Sequence, residues 1–170
     1  MSQLTDFYSG RATDCEGRTL LELQNLSPKD KELMHDYIQW LFPIPEASKY
    51  NPKSPLLTTD DVEAFGKDER LRRELKHSWF AMLDFYGLTY HTYHQRVVID
   101  PDMWAICSKN WLTPGNHNFL RITRILRSMT LLGLKKEARA FYSFLNSLTK
   151  DKKHRDTIGK AVIHWRIALM

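Results

Sequence analysis

The run from Ser27 to Pro45 limits the architecture most, because it joins a one-faced helix to a segment that proline keeps out of regular structure. Ser27 and Pro28 suit an N-cap and a first helical position: the serine hydroxyl can accept from an orphan amide, and proline lacks one of those donors anyway. Leu33, Met34, Tyr37, Ile38 and Leu41 recur at the spacing of one helical stripe, with Glu32, His35, Asp36 and Gln39 opposite. The spacing predicts one helix from Pro28 to Leu41, ended by Pro43, whose ring excludes helical geometry at Phe42. Beyond it Pro43, Pro45, Pro52 and Pro55 forbid a regular element, while Ile44, Tyr50, Leu56 and Leu57 are apolar enough to hold the segment against the protein. An ordered crossing is expected there, not a linker.

The rest reads as helices stopped by glycine and proline. Short helices are predicted at Leu4–Tyr8, at Arg18–Asn25, and from Thr59 to a stop at Gly66. From Asp68 to Tyr86 the residues Leu71, Leu75, Trp79, Met82, Leu83 and Tyr86 share a face. Glu69/Arg73 and Arg70/Glu74 are opposite-charge pairs four apart, and Gly87 supplies the left-handed stop. Arg96–Ile99 is short enough to be a strand, and Asp100-Pro101 reads as the start of a helix carrying Met103, Trp104 and Cys107. A further helix burying Phe119, Ile122, Ile125, Leu126 and Met129 should end at Gly133, followed by Lys135–Thr149 and by one last helix from Asp156 through Leu169. The expected fold is all-α: residues 1–170 as a compact single-domain multi-helix bundle with a proline-rich ordered crossing.

At 170 residues, with 42% apolar content, the chain is long enough for one real core and too apolar for disorder. No stretch approaches the ~20 apolar residues of a membrane span, and the opening MSQLTDFYSG is not a signal peptide, so a soluble cytoplasmic protein is expected. Cys15 and Cys107 lie far apart, outside any C-x-x-C pattern, and reduced thiols follow. Residues 116–170 hold 12 Lys/Arg against 3 Asp/Glu, whereas residues 1–115 hold 13 against 17. The basic surplus therefore lies in the last third, which suits either a solvated helix face or an anionic partner.

Chemistry is thinly signalled. His91 and His94 form an H-x-x-H pair without a third ligand, and Asp100 with Asp102 reads as a capped helix start, so no metal site is expected. The scattered glycines make no phosphate cradle or nucleophile elbow, and neither an enzyme nor a cofactor is expected. The block from Trp111 to Arg127 is the candidate site. On its helix His117, Arg121, Arg124 and Ser128 form one polar ridge, where two guanidiniums and a helix start suit a carboxylate or phosphate. Trp111, His117, Asn118, Arg121, Arg124 and, from the central helix, Asp36 are the residues expected to meet a ligand. The alternative is that both arginines are structural, bonding carbonyls or carboxylates of neighbouring elements such as Asp36 or Asp84.

The stretch His35-Asp36-Tyr37-Ile38-Gln39-Trp40-Leu41-Phe42-Pro43, followed by Tyr50-Asn51-Pro52 and Ser54-Pro55-Leu56-Leu57-Thr58, resembles the conserved region of the opioid growth factor receptor family. Phe80-Ala81-Met82-Leu83-Asp84-Phe85-Tyr86-Gly87-Leu88 and His117-Asn118-Phe119-Leu120-Arg121-Ile122-Thr123-Arg124 agree with it in the family's order. The resemblance runs from about Phe7 to Trp165 and is that of a short, solitary-domain member. It implies a non-enzymatic receptor of the opioid peptide Met-enkephalin, associated in animals with the nucleus, and so a peptide or protein ligand. Arg121 or Arg124 would take a carboxylate, and Asp36 or Asp84 an amine. Nucleic-acid or phosphate binding through the basic last third is the alternative function.

Overall fold

The computed structural model describes residues 2–170. Hydroxyl caps start the N-terminal elements. Ser2 and Thr5 form a capping box on α1 (Gln3–Tyr8), and Thr19 and Glu22 form another on α2 (Leu20–Gln24). Leu4, Phe7, Tyr8, Leu20 and Leu23 turn inward, but Leu21 stays 65% exposed.

Ser27 caps α3 (Pro28–Leu33), as expected, but this helix does not continue to Leu41. Met34 is extended (φ −85°, ψ 142°), and helical geometry resumes only in α4 (Ile38–Leu41). The stripe fails with it: Leu33 is exposed, while Tyr37 is fully buried and donates its hydroxyl to the Lys31 carbonyl at 2.9 Å. The crossing after Pro43 is ordered. Leu57 N–H donates to the Ile44 carbonyl at 3.1 Å, Asn51 Nδ2 donates to the Asp36 carbonyl at 2.9 Å, and Leu57 is buried. Tyr50 and Leu56, expected as anchors, are exposed, so the segment is held as much by the Asn51 amide as by apolar contact.

A Thr58/Asp61 capping box opens α5 (Thr59–Lys67), which runs through Gly66 without stopping. Asp68 then caps α6 (Glu69–Tyr86), the longest helix, through Arg70 N–H at 2.8 Å. Arg70 pairs with Asp68 at 3.2 Å, and neither expected pair four apart forms. Gly87 (φ +75°) turns the chain into β1 (Leu88–His91), which pairs antiparallel with β2 (Arg96–Ile99), Leu88 opposite Ile99 and His91 opposite Arg96. This hairpin is the one departure from an all-helical body among the described residues, and the short run at Arg96 becomes a strand by finding a partner.

Asp100 closes the hairpin base and accepts from Asp102 and Met103 N–H ahead of α7 (Trp104–Trp111). Then come α8 (Asn118–Leu131) and α9 (Lys135–Leu148), joined at Gly133 (φ +93°), where Leu134 N–H returns to the Met129 carbonyl at 2.8 Å in the expected Schellman stop. The single last helix is in fact two, α10 (Lys152–Ile158) and α11 (Ala161–Ile167), split at Gly159. Trp40, Trp79, Trp111 and Trp165 are fully buried in a core drawn from nearly every element. The fold is mostly helical and closes around α6 and α8.

Candidate binding surfaces

The polar ridge of α8 faces the break between α3 and α4. Arg121, 6% exposed, donates through Nη1 to the Lys31 carbonyl (2.7 Å) and Asn118 Oδ1 (3.2 Å), and through Nη2 to the Met34 carbonyl (2.7 Å). Its guanidinium also lies 5.4 Å from the Tyr37 ring centroid. The carbonyls it takes are those that an interrupted helix leaves without partners, so Arg121 stands in for the missing turn. Arg124 Nη1 donates to the Phe42 carbonyl at 3.0 Å, the end of α4, and burial pulls its guanidinium down to about 10. Arg127 pairs with Glu46 of the crossing.

His117 and Asn118 converge on Glu32, with His117 Nε2 3.1 Å from Oε1 and Asn118 Nδ2 3.2 Å from Oε2. Burial holds the His117 imidazole below its usual value despite the pull of Glu32, with Arg121 and the neighbouring His35 ring pushing the same way. The structure thus gathers His117, Asn118 and Arg121, puts Arg124 one turn on, and separates the other two expected residues. Trp111 is fully buried with its indole N–H on the Tyr86 carbonyl (3.0 Å), and Asp36 faces Arg18 at 3.2 Å. Both arginines are bound to carbonyls within the fold, and Asp36 is not among their partners. His91 and His94 lie at the hairpin end; among the described residues no group of three or more His, Cys, Asp or Glu is arranged to hold a metal ion.

Open space lies elsewhere, on both sides of α2, and none of the six expected residues lines it. A cleft of ≈ 1210 Å³ separates α1 and α2 from α5 and α6, and a smaller one of ≈ 670 Å³ lies between α2, α6 and α7; both are walled by Leu21 and Gln24. Gln24 is buried and donates to the Glu74 carbonyl (3.2 Å) and Ser78 Oγ (3.1 Å), which fixes the dividing wall. Along α6, Arg73, His77, Phe80 and Asp84 follow at spacings of four, three and four and therefore share one stripe across both clefts. Arg73 has no carboxylate within ion-pair reach among the described residues. At the other end Asp84 and Asp100 line the smaller cleft beside Phe85 and Met103. Burial raises the Asp84 carboxyl, Lys31 opposes that, and Asp100 adds to it. One sequence signal pointed here: Leu20, Leu21 and Leu23 cannot all face inward from a helix of five residues.

The geometry defines a class of domain: a mostly helical body crossed by a proline-ruled segment, clamped by the arginines of one helix and open around another. The chain belongs to the opioid growth factor receptor family, since the model of the opioid growth factor receptor (OGFr) conserved region matches residues 8–169. It is 38% identical over 108 residues to the opioid growth factor receptor of Mus musculus, a match covering 59% of this chain and 16% of that protein. It is 37% identical over 101 residues to the Homo sapiens receptor, covering 59% and 15%. To opioid growth factor receptor-like protein 1 of Mus musculus it is 33% identical over 134 residues, 75% of this chain and 25% of that protein. The chain thus spans a quarter or less of the relatives it matches. No helix is long and apolar enough to cross a membrane, and no solved structure matches the chain.

Proposed function

We propose that this domain is a non-enzymatic binding module that takes a peptide, or an extended segment of a protein, across the two clefts beside α2. The α6 stripe carries this reading. It presents a cation at Arg73, an aromatic at Phe80 and an acid at Asp84, with exposed Leu21 opposite. Arg73 and Asp84 stand eleven residues apart, so their Cα atoms lie ~16 Å apart along the axis. About five extended residues span that distance. A ligand with a free carboxylate, a free amine and apolar side chains between them meets complementary groups in order. The larger cleft also exceeds the ~300–1,000 Å³ typical of small-molecule sites, which suits a chain segment better than a metabolite.

What the family resemblance implies makes the opioid peptide Met-enkephalin the first ligand to test, by titration calorimetry against the wild-type chain, Arg73→Gln and Asp84→Asn. Both positions are at the surface, so the variants keep the fold. Saturable heat weakened about fivefold by each change is expected, the upper range for a solvent-exposed ion pair. No saturable heat with the wild-type chain rejects this ligand, and binding indifferent to both changes rejects the clefts as its seat.

A further inference from the structure

A second surface, on the other side of the molecule's charge division, has no part in that reading. The hairpin residues 88–99 hold no acid, and at their distal end Tyr93, 92% exposed, stands on a turn closed by Gln95 N–H on the Thr92 carbonyl (3.3 Å). Gln95 occupies the left-handed region (φ 50°), which fixes the turn, and the Tyr93 ring meets the His94 ring edge-on at 5.0 Å between centroids. The tip presents an aromatic pair that is not covered.

Cations lie on the elements packed against the hairpin. Lys76 joins the hairpin to the start of α9, its ammonium 5.3 Å from the Tyr90 ring centroid and 2.9 Å from Glu137. That contact, made at Tyr90 opposite Val97, packs the start of α9, with Lys135, Lys136 and Arg139, against the hairpin, while Gly133 just ahead of α9 lies against the Arg72 side chain. Lys135, Lys136, Arg139 and Arg96 are all exposed, and among the described residues none has a carboxylate within ion-pair reach. The one acid in the first half of α9, Glu137, is already held by Lys76.

We infer that the hairpin tip and the first half of α9 bind single-stranded nucleic acid, with Tyr93 stacking on a base and Arg96, Lys135, Lys136 and Arg139 holding the phosphates. The chemistry is that of sequence-tolerant single-strand sites. An aromatic face accepts any base, and neighbouring cations release condensed counterions from the backbone. A solvated helix face requires no exposed tyrosine beside it, and the pairing of an open aromatic ring with acid-free cations suits bases joined by phosphates. The surface also departs from what charge counting along the chain suggests. From the basic last third it uses only Lys135, Lys136 and Arg139, and it draws Tyr93 and Arg96 from the acidic part of the sequence.

Fluorescence anisotropy of a labelled oligothymidylate, titrated with the full chain at low and high salt, tests this. Affinity should fall steeply with salt. Tyr93→Ala should weaken binding about tenfold with the salt slope unchanged, as loss of one stacked base does. The triple change Lys135→Gln, Lys136→Gln and Arg139→Gln should lower the slope by about two, since each phosphate contact to a single strand contributes ~0.7. All four side chains are exposed, and thermal melting of each variant checks that the fold is unchanged. Absence of binding overturns the inference. So does binding that Tyr93→Ala leaves intact, or a slope indifferent to the lysine and arginine changes. Binding to vesicles of anionic phospholipid without binding to the oligonucleotide overturns it as well.

Discussion

A buried guanidinium is tolerated only when its donors are met, and Arg121 meets that condition with carbonyls of residues nearly ninety positions earlier in the chain. Removing it takes the side-chain donor from the buried Met34 carbonyl and leaves the Lys31 carbonyl with only the Tyr37 hydroxyl, so Arg121→Ala should lower stability by about 3 kcal/mol, read from the midpoint of urea unfolding. Arg121→Lys should recover little of this, because a single ammonium cannot bridge two carbonyls held by a planar fork. An Arg121→Ala variant as stable as the wild type would mean that the break between α3 and α4 is held by other contacts. His117 beside it gives a pH signature. Its folded-state pKa lies below the ordinary 6.5, so just below that pH the unfolded chain takes up a proton that the folded one does not. Stability should therefore be complete above this window and fall as the pH drops through it, and His117→Asn should flatten that part of the profile. Equal slopes for both proteins in unfolding measured across the window would show that His117 is not the group responsible.

Among the elements, α6 was legible because local signals agree: an aspartate cap, eighteen residues with one apolar face, and a left-handed glycine stop. The glycine matters beyond the stop. A Cβ at Gly87 would sit 2.9 Å from Cys107 Cβ and 3.0 Å from Trp104 Cα, where α6, the hairpin and α7 meet. Gly87→Ala combines this crowding with a left-handed backbone and should be destabilising by about 3 kcal/mol, visible as a drop in the thermal midpoint. A midpoint unchanged by the substitution would show that α7 can move away freely. The helix expected from Pro28 to Leu41 was misread for the opposite reason. Its stripe is a sound local pattern, but Arg121 and the Asn51 amide reward an open turn with hydrogen bonds from distant residues. At Gly159, likewise, a favourable apolar spacing on both sides hid a backbone break.

Taken as one body, the molecule separates its charge and its openings. The clefts beside α2 are built from the first hundred or so residues, where acids are in excess, while α9 and the hairpin tip carry cations without acid partners. The two proposed surfaces therefore answer to different measurements: one to changes at Arg73 and Asp84, the other to salt and to Tyr93. Helical class, the order of most elements, their caps and stops, the ordered crossing and family membership are all carried by residues close together in sequence, since caps, stripes and glycine stops act within a few positions. The use of Arg121 and Arg124 was not. The same residues on a bare helix read as a ligand site or as a clamp, and only the approach of α3 and α4 gives them their carbonyl partners. The placing of Arg73 with Asp84 across two clefts, and of the hairpin against the start of α9 through Lys76, arises in the same way, because exposure and proximity of distant residues exist only once the chain has packed.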